Sequence, residues 1–467
     1  MSIPFTNHQA QSWTQGSLIQ GSPETLLSGV SINTRTLSPG DLFIAIHGPK
    51  NDAHSFIDQA IEAGAAAVMV NQDWLVKNSI PEGTDLLSAP DTTQALGALA
   101  HGHRSGFSGP LLAITGSNGK TSTKELAYSI LSSSQPCLKN EGNLNNEFGL
   151  PLTLLQRKAE HRSAVLEMGM NHRGEIQRLV EIAAPDVGVI TNVGTAHIEF
   201  LGSQDEIALE KGDLVAGLTS NGIAVLNADD SRVLGQRQRV LGRILTFGRH
   251  AKADIRPEAI QFHNEGAFSF RLCTPEGHIE VRVQGWAETT IENSLAAAAA
   301  TLAIGSNLET IKEGLHQFQA IPGRMLCQKM PSGTRILDDT YNANPQSMRS
   351  ALETLARIKM TGRSIAVLGD MGELGLESSA SHSDIGRVTA ETGTDFLFTL
   401  GEHAEAVGHA AQVAGMPSEH IHAAANHDEI AREIASLAGP EDWILIKGSR
   451  SMQMERIIEH LLSGKEV

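Results

Sequence analysis

Three observations on the 467-residue sequence predict an α/β fold of three domains. Short apolar runs, the pattern of strands buried on both faces, alternate with helical stretches along almost the whole chain. Proline and glycine punctuate that rhythm and restart it, most clearly at Ile321-Pro322-Gly323-Arg324. After Thr115 a glycine-rich turn joins a buried strand to a helix, the context of a central P-loop parallel-sheet domain. Domains are therefore expected over 1–107, 108–321 and 322–467.

The first block holds the strand-like Asp41-Leu-Phe-Ile-Ala-Ile46 after a Pro39-Gly40 turn. A helix over 55–63 ends at Gly64 and leads into the strand Ala66-Ala-Val-Met-Val70. The second block opens with Pro110-Leu-Leu-Ala-Ile-Thr115 as a buried strand, followed by the turn and a helix over 122–131. Ser163-Ala-Val-Leu-Glu167, Val187-Gly-Val-Ile-Thr191 and Gly222-Ile-Ala-Val-Leu226 read as further strands of a mostly parallel sheet. The alanine-rich 295–302 stretch predicts a tightly packed helix. In the third block the rhythm returns at Arg335-Ile-Leu-Asp338, Ser364-Ile-Ala-Val-Leu368, Asp395-Phe-Leu-Phe-Thr399 and Trp443-Ile-Leu-Ile446.

Hydrophobic residues make up 40% of the chain and charged residues 19%, enough apolar material for several cores. The 36 basic and 53 acidic residues leave a net charge of −17, which argues against nucleic-acid binding and against adhesion to anionic lipid. A phosphate-bearing ligand must then be held by local donors, because the global field opposes it. Cys137, Cys273 and Cys327 stand isolated, which fits a reducing cytoplasm better than a disulfide framework or a zinc site. The N-terminal stretch lacks a basic n-region and an apolar h-region, and the longest apolar run falls far short of a membrane span. Neither a signal peptide nor membrane insertion is expected.

Thr115-Gly116-Ser117-Asn118-Gly119-Lys120-Thr121, with Ser122 opening the helix, is the strongest chemical signal. Glycines let backbone N–H groups curl around phosphate oxygens, and the helix N-terminus adds partial positive charge. Lys120 can bridge the β- and γ-phosphates, and the Thr121 hydroxyl can ligate Mg²⁺. Glu167 closes one apolar strand and His197 follows another, placing both near the strand ends where open α/β sheets bind ligands. Read alone, each is more often a turn residue than a metal ligand, and Lys211 reads as a solvated charge on a helix.

The loop has Ile114 where a strict phosphate loop carries its first glycine, and in this it resembles the ATP loop of the Mur ligases, which build the peptide stem of the peptidoglycan precursor. The resemblance extends to Asn143-Leu-Asn-Asn-Glu-Phe-Gly-Leu-Pro151, Glu167-Met-Gly-Met-Asn171 and Thr191-Asn-Val-Gly-Thr-Ala-His197. It continues in Asp338-Asp-Thr-Tyr-Asn-Ala-Asn-Pro345, Gly369-Asp-Met-Gly-Glu-Leu374 and Lys447-Gly-Ser-Arg450. Val30-Ser-Ile-Asn-Thr-Arg35, Pro39-Gly-Asp-Leu-Phe43 and Asp52-Ala-His-Ser-Phe56 are similar to the family's uridine-diphosphate-binding domain. Thr289-Thr290 depart from it, standing where the family usually shows His-Asn.

This resemblance implies an N-terminal α/β UDP-binding domain, the central ATP-binding domain and a C-terminal Rossmann-like domain. It implies an ATP-dependent amide-bond ligase that joins D-alanyl-D-alanine to UDP-N-acetylmuramoyl-tripeptide through an acyl phosphate, working as a cytoplasmic monomer with ATP and two Mg²⁺ ions. Lys120, His197, Lys211 and Arg324 become the implied catalytic residues, and Thr121, Glu167, His197 and a carbamylated Lys211 the implied metal site. Asn293, Arg324, Asp339, Tyr341 and Asn342 join the loop in holding the nucleotide. Ser31, Arg35, His54, Asn143, Asn145, Asn146 and Glu147 are the implied substrate contacts; by pattern alone they read as turns and a capped loop. The rivals are another Mur-type or folylpolyglutamate-synthase-like ligase, and a noncatalytic P-loop nucleotide-binding module.

Overall fold

The computed structural model describes residues 2–48, 51–80, 82–359 and 362–463. In the second block six parallel strands pair in the order Arg243–Phe247, Ile223–Asn227, Val187–Ile190, Leu111–Thr115, Ser163–Glu167, Cys137–Lys139. Their side chains alternate between two cores. Leu112, Ile114, Val165 and Val189 pack with helices Lys120–Ser132 and Thr289–Ala303, whereas Leu111, Ala113, Ala164 and Leu166 face Leu150, Ile176 and Leu214 on the other side. Burial on both faces is why these strands are continuously apolar. Strand Leu111–Thr115 lies where the chain switches from building one half of the sheet to the other, so its C-terminal end opens a crevice.

The third block repeats this plan in the order Leu326–Lys329, Arg335–Asp339, Trp443–Lys447, Ser364–Gly369, Phe396–Leu400, Ile421–Ala424, with only the first strand antiparallel. In the first block five strands pair as Ser17–Gln20, Asp85–Ala89, Ala67–Asn71, Leu42–Ile44, Val30–Ser31, again with one antiparallel edge. The core of the first block runs on into the second: Leu96, Leu99 and Ala100 of helix Thr92–Ser105 share a cluster with Leu150, Leu179 and Ile182.

Two helices begin earlier than their patterns suggest, at Lys120 and at Thr289, because polar first turns carry no apolar periodicity. The antiparallel strands Arg256–His263, Ala267–Thr274 and Gly277–Gln284 escape the apolar-run reading, since one face is exposed and polar. Among the described residues no helix is long and apolar enough to cross a membrane.

Alanine lets the helix Thr289–Ala303 be packed all round, with Ala297, Ala299 and Ala300 wholly buried. Close approach is also required at Gly314 of helix Leu308–Gln317, where a Cβ would lie 2.2 Å from the Ile130 Cα. Gly314→Ala must push two helices apart and is expected to destabilise the chain by about 1–3 kcal/mol, read as a lowered melting temperature.

Candidate active site

Strand ends from two sheets meet at one cleft of about 1240 Å³. Glu167 ends its strand in the second block; Asp339 and Lys447 end theirs in the third. Gly116 and Gly119 shape the loop between strand Leu111–Thr115 and the helix beginning at Lys120. Their φ values are +152° and +80°. A Cβ on Gly116 would fall 1.8 Å from Thr191 Oγ1, and one on Gly119 2.3 Å from Asn293 Oδ1. No side chain caps the helix, so its first N–H groups are left for an anion. Thr191 and Asn192 clamp the loop from the neighbouring strand: Thr191 Oγ1 donates to Asn118 O at 2.6 Å, and Asn118 N donates to Asn192 Oδ1 at 2.9 Å.

The Thr121 hydroxyl donates to Glu167 Oε2 at 2.8 Å and accepts from Arg324 Nη2 at 3.2 Å. Asn145 Nδ2 donates to the other Glu167 oxygen at 2.8 Å. The wholly buried Asn140 pins the Glu167 backbone, accepting from its N–H at 2.9 Å and donating to its carbonyl at 3.0 Å. Arg324 stacks 4.1 Å from the Tyr341 ring centroid, and its buried Nε has no protein partner. No salt bridge restrains Arg324 among the described residues, so the hinge arginine is aimed into the cleft rather than spent on an acidic neighbour. Lys120 Nζ folds back onto Gly116 O at 2.8 Å. Burial pushes its amine below the ordinary lysine value, while Glu167 and Glu373 pull it up and Arg324 pushes it down.

These features fit a magnesium nucleotide: a loop that only glycine permits, an uncapped helix N-terminus and an orphaned guanidinium donor. Among the described residues no three His, Cys, Asp or Glu side chains gather closely enough to hold a metal by themselves. An ion here would therefore share the Thr121 hydroxyl and Glu167 with phosphate oxygens.

His197 lines the same cleft, its Nδ1 2.6 Å from Glu373 Oε2 of the third block. Lys211 does not line the cleft but lies 1% exposed behind it, so the solvated-face reading fails. Burial, then the charge of Lys120, drives its amine well below the ordinary lysine value against the pull of Glu210. Asn293, Asp339, Tyr341, Asn342, Ser122, Asn143, Asn146 and Glu147 all line the cleft; Thr115 is buried beneath it, its hydroxyl donating to Met168 O at 2.9 Å. Asn146 also caps helix Gly149–Leu155, with Oδ1 accepting from Gly149 N at 2.9 Å.

Ser31, Arg35 and His54 are not brought to this cleft. Ser31 Oγ donates to Asn33 O at 2.9 Å in the turn that exposes Arg35. His54 lines a second cleft, Nδ1 2.5 Å from Asp52 and Nε2 accepting from Asn71 N at 3.1 Å. Sequence reasoning singled out no role for Asn140, Asn192, Asn344, Glu373 or Lys447. Lys447 Nζ donates to Asp339 Oδ2 at 2.6 Å and Asn344 Nδ2 to Asn118 Oδ1 at 2.7 Å. All but Asn140 sit inside motif stretches already visible; Asn140 carries no signal.

Profiles described as "Mur ligase family, catalytic domain", "Mur ligase middle domain" and "Mur ligase, glutamate ligase domain" match residues 26–104, 114–301 and 323–450. The UDP-N-acetylmuramoyl-tripeptide–D-alanyl-D-alanine ligase of Escherichia coli K12 is 37% identical over 448 residues, covering 95% of both chains. MurF from Acinetobacter baumannii superposes with a TM-score of 0.90 at 34% identity over 99% of both chains. MurF ligase from Thermotoga maritima, solved in complex with ADP, superposes at 0.82 with 29% identity, covering 93% of this chain and 97% of that one.

Two outcomes are expected. Gly116→Ala places a methyl group on Thr191 and strains the loop, so calorimetric titration should show ATP affinity lost about tenfold or more, since over-packing costs about 1–3 kcal/mol. The folded chain favours the neutral Lys211 amine and the unfolded chain the charged one, so Lys211 opposes folding until pH rises into the ordinary lysine range. In CO₂-free buffer Lys211→Met should melt at or above the wild-type temperature near pH 7, with the gap closing as pH rises.

Proposed function

The chain belongs to the Mur ligase family, and from that premise we propose that it joins D-alanyl-D-alanine to UDP-N-acetylmuramoyl-tripeptide at the expense of ATP in peptidoglycan precursor synthesis. The observation that carries this reading is the Glu167–Thr121–Arg324 chain, which ties the phosphate loop of one domain to the hinge of the next. Residues 1–107, 108–321 and 322–467 serve as the UDP-substrate, ATP and C-terminal ligase domains.

The terminal carboxylate of the tripeptide attacks the γ-phosphorus of ATP, giving an acyl phosphate and ADP. The dipeptide amine, once it has shed its proton, attacks the acyl carbon; the amide forms and phosphate leaves. Lys120 and Arg324 stabilise the charge that builds on the transferring phosphoryl group. Glu167 orients the Thr121 hydroxyl, and Asn145 and Asn140 hold Glu167 in place. Mg²⁺, when bound through Thr121, Glu167 and His197, would neutralise phosphate charge. The Lys211 amine, pushed toward its neutral form by burial, is the group that would add CO₂, losing a proton to become a carbamate that would supply a further carboxylate ligand. The Asn143–Glu147 loop, beside Glu167, would meet the peptide, with Ser31, Arg35 and His54 serving the uridine diphosphate end.

Phosphate release across UDP-linked peptides tests this directly. Turnover stimulated by D-alanyl-D-alanine and not by single amino acids is expected; stimulation by a single amino acid would move the chain to another branch of the family. Lys120→Ala should lower kcat by about a hundredfold or more. Lys211→Ala should be nearly inactive yet partly restored by acetate, whereas full activity would make Lys211 a structural residue only.

A further inference from the structure

Gly369-Asp-Met-Gly-Glu-Leu374 leaves the end of strand Ser364–Gly369 and carries Glu373 across the cleft to His197, a contact to which the reaction above assigns no role. Both partners hold left-handed backbone, Glu373 at φ +60° and His197 at φ +66°. Neither is glycine, so both conformations cost energy that the surroundings must repay. The Glu373 loop is braced from its own domain. His382 Nε2 accepts from Met371 N at 2.9 Å, and Asp370 accepts from Glu402 N at 2.7 Å and from His403 N at 3.2 Å. Across the gap Glu199 N donates to Glu373 O at 3.3 Å, so side chain and backbone both reach the central domain.

The two ends of this domain interface differ in kind. At one end it is largely aromatic: Trp286, itself on the cleft wall, meets Trp443 at 4.9 Å, and Arg357 lies over Phe262 at 4.9 Å while pairing with Glu288 at 2.9 Å. Toward the cleft it is polar, with Asn344 on Asn118 at 2.7 Å and Thr195 on Gln346 at 3.0 Å. Water can replace the polar contacts at small cost, but not the aromatic ones, so the aromatic end acts as pivot and the polar end as jaw. Glu373 stands in the jaw. Imidazoles at metal sites take a carboxylate on the second ring nitrogen, which fixes tautomer and ring orientation.

We propose that Glu373 is a positioning residue that reaches His197 only when the central and C-terminal domains close, and so couples completion of the metal site to closure. It rests on the reading of this cleft as a magnesium-nucleotide site. Nδ1 lies 2.6 Å from Glu373 Oε2, though not in hydrogen-bond alignment, and this leaves Nε2 as the ring nitrogen presented to a ligand. The metal site then matures only in the closed enzyme, where an acyl phosphate is sheltered from water.

The test uses the full chain with Mn²⁺ as probe, followed by electron paramagnetic resonance, in the presence of a nonhydrolysable ATP analogue and UDP-tripeptide. Glu373→Gly removes the carboxylate and relieves the left-handed strain, so its melting temperature should hold or rise. Its Mn²⁺ affinity should fall about tenfold or more, and its ligand-induced compaction in solution scattering should shrink. Glu373→Gln should show a smaller loss of affinity. Wild-type Mn²⁺ affinity in both variants overturns the proposal, as does wild-type affinity in the glutamine variant if the glycine variant does not fold. If the wild-type chain itself binds no Mn²⁺-nucleotide, the reading of the cleft falls and the coupling with it. Normal wild-type binding with unaffected variants removes the coupling alone.

Discussion

The Thr121 hydroxyl is held from two sides, donating to Glu167 and accepting from Arg324. A hydroxyl can satisfy both only if three separately built elements arrive within hydrogen-bond reach: the phosphate-loop helix, the edge of strand Ser163–Glu167 and the hinge before strand Leu326–Lys329. Much of the polar architecture serves that convergence. Asn140 holds Glu167 by its backbone and Asn145 by its side chain, while Gly323 at φ +73° donates to Asp338 Oδ2 at 3.0 Å and turns Arg324 toward the cleft.

Burial of cations is the second theme, in a chain whose net charge is −17. Lys120, Lys211 and Lys447 have amines that burial pushes down from the ordinary value. Lys447 is compensated by Asp339 at 2.6 Å and by the Asn342 carbonyl at 2.9 Å. Lys120 has only backbone carbonyls and more distant carboxylates, a state that a polyphosphate would improve. An acidic protein can hold an anionic ligand in this way, because nearby donors in a low-dielectric cleft outweigh distant, screened surface charge.

Cohesion along the chain is uneven. The first block shares a continuous apolar core with the central sheet, from Phe5 to Val233. The third block keeps its own cores and receives from the central block only a few large side chains, Phe262 and Trp286 among them. The second boundary, beside the hinge, is therefore the less cohesive of the two.

The sequence by itself determined the elements and the local chemistry. Strands buried on both faces must be apolar runs, a phosphate loop must have glycine where a Cβ would collide, and Pro322-Gly323 must interrupt the rhythm. The three main sheets, Lys120, Thr121 and the hinge were therefore legible, and family resemblance extended the reading to Glu167, Lys211 and Asp339. Tertiary structure decided what depends on partners far apart in the chain. Lys211 reads as a surface charge until packing buries it, and Asn140 is an unremarkable amide until strand pairing sets it on Glu167. The half-exposed strands over 256–284 lack the apolar signal that a single buried face dilutes. Glu373 meets His197 only because two sheets direct their strand ends at one cleft, and no spacing rule relates residues brought together by the packing of separate domains.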